Sequence, residues 1–248
     1  MDVRLISRRK LLGRSLLAAT SALVSARFAH ARPYGAGQGV PWTPGAADPP
    51  YYGTEPGLLF SDNERRTADA LTARLIPADD TGPGAREADV VTFIDRQLAG
   101  FYGRAQRWYM SGPFPEPLPT QGYQSEHTPA ELWRAGLAGL NVHCQASHGG
   151  RDFADLSESE QDAVLTAMDE EEIDFARVSA KLFFDFAKEM TIEGFFSDPV
   201  YGGNRDMVGW RYVGFPGARY DYRDFLGHNG ARVDIPPVGL FGRPEWTR

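Results

Sequence analysis

The sequence is poor in cysteine. Cys144 is the single one among 248 residues, so this chain alone cannot form a disulfide, a C-x-x-C-H haem attachment, an iron–sulfur set or a cysteine-rich zinc site. Catalytic signatures are missing as well: there is no G-x-S-x-G elbow, no phosphate loop and no H-E-x-x-H helix. A di-iron or di-manganese bundle needs Glu-x-x-His pairs, but the residues three before His127, His143, His148 and His228 are Gln124, Leu140, Gln145 and Phe225. Gly35-Ala36-Gly37-Gln38-Gly39 has no strand before it and no helix after it, so it is not read as a nucleotide loop. Positive charge is scarce outside the first residues. The net charge is −7, and six basic residues against Asp2 give residues 1–31 +5, which leaves −12 for residues 32–248. Nucleic acid is thereby set aside as a partner. No catalytic residue, cofactor ligand or metal ligand is assigned to this chain.

What is present begins at the amino terminus. Ser7-Arg8-Arg9-Lys10-Leu11-Leu12 is a twin-arginine pattern, followed by an apolar run from Leu16 to Ala26 and an A-x-A site at Ala29-His30-Ala31. Arg14 and the shortness of the run argue against a membrane span, which needs about 20 apolar residues. Residues 1–31 are therefore expected to be a signal for the twin-arginine (Tat) translocase, with the periplasm as destination; a general secretory signal with a chance arginine pair is the alternative. Residues 32–56, rich in Gly and Pro without a periodic apolar face, read as a flexible arm.

Residues 57–217 predict a mainly α, irregular helical domain of about five helices with long Gly-, Pro- and aromatic-rich loops, and 218–248 predict an extended, irregular tail. Ser61 to Glu64 forms a capping box ahead of Ala68, Leu71 and Leu75, and Pro77 ends that helix. Asp79-Asp80-Thr81-Gly82 is a turn whose paired carboxylates are either solvated or cation-binding. The second helix carries Val91, Ile94, Leu98 and Phe101 on one face. Four prolines between Ser111 and Gln121 leave a stiff connection of polyproline character. Thr128-Pro129-Ala130-Glu131 opens a third helix that closes near Gly149-Gly150, and Ser157 to Glu160 opens a fourth. The fifth, roughly 176–196, is apolar on more than one side and so is expected to be central. Cys144 shares a stripe with Trp133, Leu137 and Leu140. It reads as a buried apolar residue, as a thiol for an intersubunit disulfide, or as a metal pair with His148 one turn later.

The most informative stretch is Thr191 to Gly217. Asp198-Pro199 ends the helix, Gly202-Gly203-Asn204 permits a sharp turn, and the alternation of Val208, Trp210 and Tyr212 predicts a short strand. Phe195, Phe196, Tyr201, Trp210, Tyr212 and Phe215 surround that turn. Six rings need a covering surface, here or on another chain, so these rings with Gly202, Gly203 and Asn204 are the expected partner interface. An enzyme drawing acids from Asp198 and Glu193 is one alternative; an independent periplasmic binding or chaperone module is another.

Two runs carry a resemblance. Leu75 to Ala88 (L-I-P-A-D-D-T-G-P-G-A-R-E-A), leading into V-V-T-F-I-D, and Phe195 to Trp210 (F-F-S-D-P-V-Y-G-G-N-R-D-M-V-G-W) with its following G-F-P-G, together with the leader, resemble the subunit 3, or small (gamma) subunit, family of membrane-bound gluconate 2-dehydrogenase. The matches cover about Phe60 to Gly217. The resemblance implies a heterotrimer in which FAD lies in a large dehydrogenase subunit and haem c in a multi-haem cytochrome c subunit. It implies no cofactor in this chain, whose role would be to assist export, maturation and stability of the large subunit.

Overall fold

The structure, a computed structural model, describes residues 59–218 apart from 116, 117 and 119, and residues 226–227, 230 and 235–240 of the tail. The expected signal, with Arg8, Arg9, Leu11, Leu12, Ala29 and Ala31, lies outside the described residues, as do the arm and most of the tail. Among the described residues six α-helices follow in order: α1 (Asp62–Leu75), α2 (Val90–Ala99), α3 (Pro129–Ser147), α4 (Glu158–Asp169), α5 (Ala180–Phe196) and the short α6 (Val208–Val213). Among the described residues there is no strand, only the isolated bridges Asp79 to Gly82 and Gly217 to Val238.

Local chemistry sets most boundaries. Complete capping boxes close the starts of α1, α3 and α4: Ser61, Thr128 and Ser157 each accept from the amide three residues on, and Glu64, Glu131 and Glu160 reach back. The α5 helix starts at Ala180, later than its apolar spacing suggests. Asp174 Oδ1 holds the amides of Phe175 and Ala180, at 2.9 and 3.0 Å, and so keeps the intervening residues in a loop. The α2 helix stops at Ala99 because Gly100 is extended, so Phe101 leaves the predicted apolar face and stands 55% exposed. Where a short strand was expected at Val208, Trp210 and Tyr212, the chain forms α6. Gly214, with φ at 71°, ends it in a Schellman arrangement in which the amides of Phe215 and Gly214 bond the carbonyls of Trp210 and Arg211.

The central position of α5 is confirmed, for it packs against α1, α2, α3 and α4. It buries Phe183, Phe184, Phe186, Ala187, Met190 and Phe195. Trp133 of α3 is fully buried at the middle of this core, edge-on to Phe183 at 5.4 Å and tilted against Phe60 at 5.8 Å. Its indole N–H points at Met190 Sδ, 3.0 Å away. The most extensive helix–helix contacts of the core are those that α5 makes with α2, α4 and α3. Trp133→Ala should cost about 3–5 kcal/mol in a urea titration, whereas Thr128→Ala, which removes one exposed cap, should cost about 1 kcal/mol.

Candidate functional site

The stretch after α5 is a clamped loop. Asp198 begins it: Oδ1 accepts from the Val200 amide at 3.0 Å and caps the 3-10 turn Pro199–Tyr201. Gly202 then takes φ of 108°, and Asn204, Asp206 and Met207 all lie in the left-handed region, with φ of 47°, 55° and 58°. Non-glycine residues hold that conformation at a cost, so surrounding bonds must over-determine it. Asn204 supplies them. Its side chain is fully buried, Nδ2 donates to the Ser197 carbonyl at 2.8 Å, and Oδ1 accepts from the Gly209 amide at 2.8 Å. Two glycines allow the close approach this requires. A Cβ on Gly203 would collide with the Gly194 carbonyl, and one on Gly209 with the Phe195 carbonyl. Trp210 completes the clamp by donating its indole N–H to the Phe196 carbonyl at 2.7 Å.

This loop docks on the turn between α1 and α2. The Arg205 amide donates to the Ala88 carbonyl at 3.0 Å, and its guanidinium meets Asp89 Oδ2 at 2.5 Å. Asp89, itself left-handed, is buried. Its other oxygen accepts from Thr92 Oγ1 at 2.8 Å, and Arg65 bridges Thr92, Asp89 and the buried Asp95 at 2.7, 3.8 and 3.5 Å. Asp95 Oδ1 in turn accepts the amides of Leu59 and Phe60. Tyr212 packs over Gly82, with its hydroxyl 3.4 Å from Thr81 Oγ1. The two runs on which the resemblance rests are therefore one surface in space.

Part of the covering comes from the tail. Val238 accepts from the Ala218 amide and donates to the Pro216 carbonyl, and the Leu240 amide donates to Asp198 Oδ2 at 2.7 Å. Residues 235–240 thus strap the start of the loop to its end.

The predicted interface residues divide into two sets. Phe195 and Trp210 are 2% and 5% exposed, and Gly202, Gly203 and Asn204 are buried, so these five build the loop. Phe196, Tyr201, Tyr212 and Phe215 are 39%, 50%, 53% and 44% exposed and are the rings it presents outward. Phe215 stands edge-on to Trp210 at 5.2 Å, and Phe196 edge-on to Phe195 at 5.0 Å, so both are braced by an interior ring. Cys144 is fully buried in α3, and its thiol is pushed up to about 11 by that burial, with the charge of Asp152 adding. A partner's cysteine cannot reach the sulfur in this fold. His143 is half-buried and lowered by desolvation and by His148. Asp79 is held down by bonds from the Thr81 hydroxyl and the amides of Thr81 and Gly82, which occupy its Oδ1.

Asp198 and Glu193 do not act as a pair. Both oxygens of Asp198 serve backbone amides, whereas Glu193, exposed on α5, is raised by desolvation against the helix surface and by the like charge of Glu189 one turn back. The sequence reading missed Arg205, Asp89, Arg65 and Asp95. The signal for the first was available, since Arg205 is the one basic residue inside the most specific run.

A family model described as Gluconate 2-dehydrogenase subunit 3 matches residues 62–217, more than half of the chain, starting at the first residue of α1 and ending at the bridge to the tail. No curated protein and no solved structure matches.

Asn204→Gly keeps the left-handed backbone but removes two buried bonds, so it should lower stability by about 1–3 kcal/mol in denaturant unfolding. Glu193 yields a signed pH effect. Because its folded pKa is raised, its charge costs stability at neutral pH, and that cost disappears as pH falls through the folded pKa toward the ordinary value of 4.5. Glu193→Gln should therefore raise the melting temperature at neutral pH and leave it unchanged below that window.

Proposed function

The chain belongs to the gluconate 2-dehydrogenase subunit 3 family, and from that membership we propose that it is the non-catalytic small subunit of a flavin-dependent gluconate or sugar dehydrogenase complex. The observation that carries this reading is the loop at 195–217. It closes the stretch that the family model matches, it is held rigid by buried bonds, and it still turns four aromatic rings to solvent. Exposed rings on a preorganised scaffold are what an anchor for a partner requires, since ordering them on binding costs little. The occupant is read as the large, FAD-carrying subunit, with haem c in a cytochrome subunit that anchors the assembly.

The twin-arginine leader, Arg8 and Arg9 with Leu11 and Leu12, gives the second half of the role. A folded partner held by this chain would be carried across the membrane with it and would work in the periplasm. Binding, not chemistry, is then the function. In keeping with this, Asp198 is spent on backbone bonds and the buried acids Asp89 and Asp95 on arginines and amides.

Tyr201→Ser combined with Phe215→Ser should weaken copurification of the dehydrogenase subunit by roughly tenfold or more, with the melting temperature of this chain little changed because both rings are exposed. Undiminished association would remove the docking claim. Arg8→Lys with Arg9→Lys should deplete periplasmic activity of the partner dehydrogenase; unchanged activity would remove the export claim and leave docking standing.

A further inference from the structure

The loop at 195–217 is tied to the turn before α2 through Arg205, and it is tied as well to the chain's own tail. Pro237, Val238 and Gly239 are buried, although Pro236 and Leu240 on either side of them are exposed. Val238 is 6% exposed and yet does not belong to the hydrophobic core gathered on α5. It meets the loop instead. Its carbonyl accepts from the Ala218 amide at 2.6 Å, and its amide donates to the Pro216 carbonyl at 3.2 Å. Gly217 between those two has φ of 84°, and a Cβ there would collide with the Val238 backbone. Gly239 passes the middle of the loop, where a Cβ would stand 3.5 Å from Met207 Cε. Leu240 then reaches the beginning of the loop, its amide 2.7 Å from Asp198 Oδ2.

One carboxylate therefore joins tail and loop. Asp198 Oδ1 caps the 3-10 turn Pro199–Tyr201 through the Val200 amide, and Oδ2 takes the amide of Leu240. A segment that packs on a loop and not on the core can open while the helices stay folded, because few core contacts are lost when it does. Pro236 and Pro237 restrict the released tail, so closing it again costs less conformational entropy. Phe196, Tyr201, Tyr212 and Phe215 remain 39–53% exposed with the tail in place. The closed tail supports these rings and does not mask them.

We propose that residues 235–240 are a latch on the docking loop. Closed on Asp198, the tail holds the loop in the shape that presents its rings; released, it lets residues 198–203 and 216–218 loosen while Asn204 and Arg205 keep the middle in place. The link to a partner rests on the docking reading of this loop, but the latch itself is a property of the chain alone.

The test uses the full, unpartnered chain and hydrogen exchange read by mass spectrometry. Leu240→Pro removes the N–H that Asp198 Oδ2 accepts, at a side chain that is 61% exposed, and Leu240→Ala keeps it. Leu240→Pro should speed exchange in peptides spanning 198–203 by roughly tenfold and leave those of α1 and α4 unchanged, while Leu240→Ala should match the parent chain. Unchanged exchange in Leu240→Pro, or equal acceleration in Leu240→Ala, would overturn the latch. So would acceleration that spreads to α1 and α4, since the tail would then be part of the global fold. A dehydrogenase subunit that selects the latched loop should slow exchange at 235–240 of the parent chain. A complex that forms without slowing it overturns the coupling to docking, whereas a complex indifferent to Tyr201→Ser with Phe215→Ser overturns the docking reading and leaves the latch standing.

Discussion

A carboxylate taken out of water must find its charge partner, and Asp89 finds part of that partner 116 positions further along the chain, in Arg205. The unpaired cost of such a group is several kcal/mol, so the pairing dictates that the turn before α2 and the turn before α6 come together. Once they do, Arg205 bonds Ala88, Tyr212 covers Gly82, and Arg65 joins Asp89 to Asp95 and through it to the backbone ahead of α1. The loop that looks most irregular in the chain is in this way tied to the most regular part of it.

The helices were legible because their signals are local. Ser61, Thr128 and Ser157 each sit three residues before a glutamate, and the structure closes all three boxes. What was not legible depends on distant partners. Val208, Trp210 and Tyr212 alternate as a strand would, but Asn204 bonds the Gly209 amide and Gly214 terminates a helical turn, so a bond five residues away outweighs the period-two pattern. Phe101 fits the apolar spacing of α2 and still lies outside it, since Gly100 had already turned the backbone.

The same limit applies to the rings at 195–217. Their number marks a surface in need of cover, but composition cannot apportion that cover between the chain and a partner. Phe195 and Trp210 go inward because α5 and the Phe196 carbonyl are there to receive them. Phe196, Tyr201, Tyr212 and Phe215 are left outward by geometry.

Residues 235–240, bonded to Asp198 and Gly217, have a consequence for timing. A ribosome makes them after the whole of the ring-bearing loop, so the loop lacks this strap until residue 240 has been added. Any chain stopped before that point would hold the loop from the side of α2 alone.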